Sequence, residues 1–453
     1  MINFDEWDME TLMIGFLGAA CVLAASVLYL MRLERKGNEE RIDAEMEEVT
    51  EELEEPIPAG ETKRQRQQRL NEQRKSGKEK AYDHPWYVTT LKGHTSPVVD
   101  VDFAPDGKKF VSISSDRSVF FWDVRDFEER EHKCSRQKLD FDTPTHVSFA
   151  PDSKSVLFSV SRDNKLVVFK LTKGKAGNWA MVNADIDYPS SHPKDISCIG
   201  FAGNAKYVMS ASPDTKIAIH DIRGDVLKVI EAKVSQLYDC RISPDGRFIS
   251  AAGFSPDCFV YEPVFGKDKS FTDAKKVFAL TGHGAGVFAA AFNTACTRAV
   301  TISRDGLWRV FDTDIRYVAG QDAKVLRQGE WREFLNPTSK NVSLALSPSG
   351  ESFAVAVGST LKIFSSEDEK ADFPALTDLH TAPITSIRFS PDGKYIATCG
   401  DKFVRIIENI PLHHSIVVRC SRELPEVTND GAKRRLKEQI EEAQAELKKY
   451  GLA

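Results

Sequence analysis

An all-β, seven-bladed propeller, preceded by an N-terminal transmembrane helix and followed by a helical C-terminal tail, is the fold that this 453-residue sequence predicts. Three observations carry that expectation. A four-strand pattern recurs seven times at a mean spacing of about 47 residues, the size of one blade with its loops. The 21 residues from Thr11 to Met31 contain no charged side chain. The residues after Asn429 read as a capped amphipathic helix. Composition agrees: 41% hydrophobic and 28% charged side chains allow a sizeable core and exclude a wholly disordered chain. Sixty-one basic against 67 acidic side chains give a net charge of -6, which excludes a uniformly basic nucleic-acid binder but not a local basic patch. Eight scattered cysteines without a CxxC pair fit reduced, buried thiols and argue against a disulfide scaffold or a structural zinc site.

Residues 1–36 are expected to anchor the chain. A helix over Thr11–Met31 rises to roughly 30 Å, the thickness of a hydrocarbon core. A cleavable signal peptide would need a basic leader and a shorter apolar run, whereas Asp5, Glu6, Asp8 and Glu10 come first here. Arg32, Arg35 and Lys36 follow the run, which places everything after it in the cytosol. The sequon Asn341-Val342-Ser343 then has no glycosylation role and lies within a strand.

Residues 37–85 read as a charged linker. Residues 39–55 carry ten acids and one Arg, and residues 63–80 carry eight basic side chains and two acids. The basic block, with Lys63, Arg64, Arg66 and Arg69 at its start, is either a binder of anionic lipid or RNA or a solvated tether. No aromatic residue interleaves it to stack on bases.

The propeller is expected over 86–410. From Leu91 the chain reads LKGHTSPVVDVDFAPDGKKFVSISSDRSVFFWD, and from Leu280 it reads LTGHGAGVFAAAFNTACTRAVTISRDGLWRVFD. Five weaker copies occupy the remainder. The last copy lacks its outermost strand, and Trp86–Leu91 is placed to supply it. These units resemble the WD40-repeat family, with Gly-His and Trp-Asp landmarks complete in the first and a Phe-Asp variant in the fifth. The resemblance implies a WD40 β-propeller in which a His, a Ser or Thr, a turn Asp and a Trp form a buried hydrogen-bonded chain. By position these are His94, Ser114, Asp116 and Trp122, then His283, Ser303 and Asp305 with Phe311 in place of the indole. Burial of an imidazole and a carboxylate demands such pairing. A catalytic triad would not be reiterated as a blade element, so these residues are expected to be structural.

No catalytic, metal or cofactor motif occurs, and neither an enzyme activity nor a small-molecule substrate is expected. Gly282-His283-Gly284-Ala285-Gly286 lacks the strand-to-helix setting of a phosphate loop. The Asp100/Asp102 and Asp312/Asp314 pairs have the spacing of strand alternation or turns. In the family, the residue before the turn Asp often faces the partner-binding surface, which points to Arg162 and Arg304. In the tail, 411–453, Leu436, Ile440, Ala443 and Leu447 form one apolar stripe, which fits either a partner helix or a helix docked on a blade.

The stretch GFSPDCFVYEPVFGKDKSF at 253–271 and SRDGLWRVFDTDIRY through Tyr317 resemble a membrane-anchored branch of the WD40-repeat family. That resemblance implies a single-pass endoplasmic-reticulum protein with a cytosolic propeller. It also implies a scaffold role in the unfolded protein response, with the ER-stress kinase of translation initiation factor 2 and translation or ribosomal components as partners. Two alternatives stay open. One is an RNA- or lipid-binding tether acting through the basic linker. The other is a propeller exchange factor for a vesicle-budding small GTPase, a type in which the anchor follows the propeller.

Overall fold

Short runs rich in Val, Ile, Phe and Ala, separated by Pro-Asp-Gly and Ser-x-Asp turns, favour strands joined by tight connections. The computed structural model describes residues 82–140, 142–174, 178–314, 323–331 and 342–452, and these runs form seven antiparallel sheets in it. The first blade is Val98–Phe103, Lys109–Ser114, Ser118–Asp123 and Cys134–Lys138, paired in chain order from the inside out. Each inner strand packs beside the inner strands of both neighbouring blades, and the seventh, Ser386–Phe389, packs beside Val98–Phe103. The sheets therefore close into a ring. Seven buried apolar clusters fill the seven gaps between blades. Phe110, Phe121, Phe158, Phe248, Phe311 and Phe353 are fully buried there, and each favours the fold by roughly 2–3 kcal/mol over an exposed side chain.

The turns between first and second strands show how sequence sets local geometry. Gly107, Gly246, Gly350 and Gly393 hold positive φ there. Ser153, Ala205 and Cys296 adopt the same left-handed conformation at φ near 55° in the degenerate copies, where a side chain carries a steric cost.

The ring is shut by joining its two ends in one blade. Tyr87–Lys92 pairs antiparallel with Phe403–Glu408, with Leu91 opposite Val404. Trp86 is buried against Phe373, and its carbonyl accepts the Glu408 N–H at 2.8 Å.

Two features depart from the sequence reading. The sixth blade has three strands among the described residues: Val342–Leu346, Ser352–Val357 and Thr360–Ser365. The chain returns beside Thr360–Ser365, and Leu361 and Leu376 exchange backbone hydrogen bonds of 3.0 and 2.8 Å. The next ladder position in that direction belongs to Pro374, which has no N–H, so the fourth strand stops at one bridge. The tail, moreover, holds two helices: α1, Pro411–Glu423, and α2, Asp430–Lys449. Pro411 opens α1 without loss of a helical hydrogen bond. Asn429 caps α2 by accepting the N–H groups of Gly431 and Ala432 at 2.8 and 3.2 Å. Helix α1 lies on the second and third strands of the sixth blade, and α2 packs on α1. Ala443 and Leu447 are buried while Leu436 and Ile440 are half-buried, so the apolar stripe of α2 is used within the chain. Arg419 pairs with Glu351, and Arg422 and Arg298 share the buried Glu367.

No helix among the described residues is long and apolar enough to cross a membrane. The expected span Thr11–Met31, linker residues 37–81 including Lys63, Arg64, Arg66 and Arg69, and Asn341 all lie outside the described residues.

Candidate partner-binding face

One end of the ring, here the upper face, carries the turns between second and third strands and the loops that enter each inner strand. Buried polar chains tie these two kinds of connection together. In blade one the Trp122 indole N–H donates to Ser112 Oγ at 3.0 Å, and Ser112 Oγ lies 2.8 Å from His94 Nε2. His94 Nδ1 is 2.8 Å from Ser118 Oγ, which donates to Asp116. The order fixes the protons: the Ser112 O–H donates a hydrogen bond to Nε2, so the neutral ring carries its proton on Nδ1 and donates to Ser118 Oγ. Burial, opposed by Asp116, lowers the His94 pKa to about 4 and keeps the ring neutral.

The hydroxyl in this chain is Ser112, not Ser114 as the sequence suggested. Both serines point to the same side of one strand, two residues apart. Ser114 lies nearer the turn and donates instead to the Ser96 carbonyl at 3.0 Å. The same correction holds in blade five, where Thr301 rather than Ser303 lies 2.7 Å from His283 Nε2. Ser303 donates to the carbonyls of Ala285 and Gly286, and Asp305 lies 3.0 Å from His283 Nδ1. Two further chains escaped the sequence reading. Blade seven has His380 between Thr398 and Asp401, each at 3.0 Å. Blade three has His192, Ser210 and His220, with His220 at the site of the Trp122 indole. In all four blades the hydroxyl stands 18 residues after the histidine, a spacing that was present in the sequence.

These clamps hold the upper face in shape. Arg162 and Arg304 are both exposed on it, in the turns of blades two and five. Two blades separate them, so they do not form one site. Arg162 is held through its backbone N–H, which donates to Asp142 at 3.1 Å, and the next residues, Asp163 and Asn164, take positive φ. Arg304 has a different neighbour. Its backbone N–H donates to the Gly286 carbonyl at 2.9 Å, and Phe254 from the turn of blade four lies next to Gly286. Phe254 is 54% exposed, the most exposed large hydrophobic among the described residues. Toward the ring axis, Tyr238 and Phe288 stack at 6.1 Å, and Phe288 meets Trp331 edge-on at 5.9 Å. An exposed aromatic and an exposed arginine in the turns of adjacent blades are residue types in which protein interfaces are rich. Sequence reasoning passed over Phe254, although a phenylalanine breaking an otherwise polar turn series was its signal.

The inner strands enclose a polar channel with a cavity of about 350 Å³. Arg388 lies 3.7 Å from both Asp100 and Asp102, and His146 lies 3.6 Å from Asp100. Burial acts to raise Asp100, but Arg388 and His146 overcome it and hold the carboxyl well below its usual range. Burial prevails at Asp102, pushing it up to about 6 against the partial offset of Arg388. Both carboxylates are therefore spent on an internal ion-pair cluster. Ser343 of the sequon also lines this channel.

Comparison with known proteins agrees with this geometry. The family described as "WD domain, G-beta repeat" matches residues 86–123, 274–312 and 376–408, the blades in which histidine, hydroxyl and aspartate are linked. The mouse protein "Transducin beta-like protein 2" is 32% identical over 398 residues, 88% of each chain. Its human counterpart is 31% identical over 394 residues, 87% of each chain. A shorter match, 31% over 150 residues and 29% of this chain, is to "Nuclear distribution protein PAC1" of the fungus Arthroderma otae, of which it covers 32%. The chain belongs to the WD40-repeat proteins, within the transducin beta-like protein 2 family.

Proposed function

We propose that this protein is a non-catalytic scaffold that gathers protein partners on the upper face of its propeller. Phe254 and Arg304, both exposed and both bordering Gly286 on a face braced by the histidine chains, are the observation that carries this reading. In the fuller form of the proposal, Thr11–Met31 anchors the chain in the endoplasmic-reticulum membrane and the propeller faces the cytosol. The partners are then the ER-stress kinase of translation initiation factor 2 and translation or ribosomal components. Membership of the family supports a protein-binding role, and the charge order around residues 11–36 supports the orientation.

Proximity labelling from the intact chain, with and without ER stress, tests this beside a version lacking residues 1–36 and a Phe254→Ala, Arg304→Glu variant. Enrichment of stress-kinase or ribosomal proteins that needs both the anchor and the face supports the proposal. Labelling of lumenal proteins overturns the orientation, and an unchanged profile with the double variant overturns the face. A second reading rests on the eight basic side chains in residues 63–80, which suit anionic lipid or RNA. Neutralising Lys63, Arg64, Arg66 and Arg69 then weakens binding to either and flattens its salt dependence.

A further inference from the structure

Cys134–Lys138 is the outermost strand of the first blade, and among the described residues no strand pairs with its outer edge. The Leu139 N–H donates to the Arg117 carbonyl at 2.9 Å, which sets the phase of the ladder. With the register unbroken, Ser135 and Gln137 turn their backbone groups inward, and Cys134, Arg136 and Lys138 turn theirs outward. All three outward residues are exposed. Arg136 and Lys138 stand two residues apart, so their side chains share one face of the strand at a spacing of about 7 Å. On the opposite face, Trp179 of the second blade bonds the Ser135 and Gln137 side chains.

The bases around this edge have no carboxylate partner. Arg136 sets its guanidinium 5.7 Å from the centre of the buried Phe120 ring. Gly93 lies against the same ring, where an added Cβ would come within 2.9 Å, and this brings Lys92 of the seventh blade alongside. Lys92 and Lys402 stand 5.7 and 5.0 Å from the centre of the Phe403 ring. Arg117 occupies the turn beside Lys138 at φ 65°, where blade five has Gly306, so an arginine is kept there at a steric cost. Lys92, Arg117, Arg136, Lys138 and Lys402 are all exposed, and none is ion-paired with a described residue. Of the carboxylates in this region, Asp401 is held by Arg405 and His380, and Asp116 by Thr95 and Ser118. Asp140 lines the gap toward the second blade, and Glu129 and Glu131, before the lower end of the strand, alternate with Arg130 and Lys133.

We propose that this edge is a second docking site, which adds an extended acidic segment of a protein partner to Cys134–Lys138. The segment pairs its backbone with the outward groups of Cys134, Arg136 and Lys138, and acids at every second position meet Arg136 and Lys138, with Arg117 and Lys92 beyond. Charge complementarity selects the occupant. The free ladder and the regular spacing favour a polypeptide over a nucleic acid, since Phe120 and Phe403 are buried and leave no ring to stack on a base. Other outer strands lack this pattern: Trp179–Asn183 carries no charge, and Lys228 and Arg327 on two others are paired with acids. The site is separate from the Phe254–Arg304 surface and does not depend on it.

The test uses the purified full-length chain and a fluorescein-labelled octapeptide of alternating glutamate and valine, titrated by anisotropy at fixed salt. Arg136→Gln with Lys138→Gln is expected to weaken binding at least tenfold. Lys275→Gln with Lys276→Gln, adjacent on the outer strand of the fourth blade, is expected to change it less than twofold. Arg117→Gly removes a charge and relieves the left-handed turn, so it is expected to weaken binding about threefold while the melting temperature holds or rises. A peptide of the same composition with the glutamates in adjacent pairs is expected to bind at least fivefold less tightly. A photo-crosslinker at position 134 is expected to capture the alternating peptide. Equal weakening by the two paired substitutions, equal affinity for the two peptides, loss of binding on neutralising Lys63, Arg64, Arg66 and Arg69 instead, or a larger effect of the Arg136/Lys138 change on octauridylate than on the peptide each overturn the proposal.

Discussion

Replacing Ser112 with alanine removes one oxygen and strands two buried groups. The Trp122 N–H loses its acceptor at 3.0 Å, and His94 Nε2 loses its donor at 2.8 Å. Ser112 is wholly buried, and both partners are buried too, so no water replaces the hydroxyl in the space of one oxygen atom. Each unpaired buried polar group costs about 1–3 kcal/mol, so Ser112→Ala should lose roughly 2–4 kcal/mol, allowing for some relaxation of the indole. Ser114→Ala deletes the same atom two residues away but gives up bonds to part-buried backbone groups nearer the turn, the Ser96 carbonyl at 3.0 Å and the Asp116 N–H at 3.3 Å, and should cost about 1 kcal/mol. The comparison cancels strand propensity and side-chain size, since both changes are Ser to Ala in one strand. Urea denaturation of the two variants and the parent, followed by tryptophan fluorescence with common slopes, measures the difference. Equal costs, or a greater cost at Ser114, would refute the assignment of Ser112 to the chain.

Three further outcomes follow from the same structure. Thr301→Val in blade five should cost about 1–2 kcal/mol, less than Ser112→Ala, because Phe311 leaves no indole to be stranded; a larger loss in denaturation contradicts this. Acid should destabilise the ring well above the carboxylate range. Burial lowers His94 and His220 to about 4, and lowers His192, His283 and His380, against an unfolded value near 6.5. Between those values the unfolded chain binds more protons, so stability rises with pH, and the contribution present above about 6.5 is lost as pH falls toward 4. Asp102, raised to about 6, acts in the opposite sense but is one group against five. Melting temperatures should therefore fall from pH 7 to pH 4.5, and a flat or rising profile would count against neutral buried imidazoles. Ala205→Gly should stabilise by up to about 1 kcal/mol by relieving left-handed strain at an exposed turn, the added backbone entropy of glycine offsetting part of the gain. A destabilised variant in the same melt would show that this strain is absent.

The ring itself could be read from the sequence because its information is local and repeated. Alternation such as Val-Val-Asp-Val-Asp-Phe at 98–103, followed by a Pro-Asp-Gly turn, recurs often enough to count blades even where single copies are degenerate. The placement of Trp86–Leu91 on the last blade followed from counting strands. What failed was anything set by a choice between equivalent positions. Ser112 and Ser114 share a strand face, and only distance to the imidazole separates them. The constant 18-residue offset would have decided between them had His192 and His380 been aligned with His94 and His283. The missing strand of blade six depended on Pro374 meeting a ladder position, which requires the register of a bridge 15 residues apart. Helix α1 starts within three residues of the last strand, and its mixed sequence gave only Pro411 as a start signal.

Sharing one blade between the two ends of the ring has a temporal consequence for a newly made chain. Tyr87 pairs with Ile407, more than 300 residues later. At roughly 5–20 residues per second, the ribosome takes about 15–60 s to supply the partner after the strand has emerged. Throughout that interval Trp86 has no pocket and Tyr87–Lys92 has no ladder, while successive blades assemble beyond it. Such a segment, β-prone and apolar at Trp86 and Leu91, is a natural client for a holding chaperone during synthesis. A chain truncated before Phe403 keeps that client surface permanently, so the last strand acts as a completeness check: only when it has been made is the first strand of the propeller hidden.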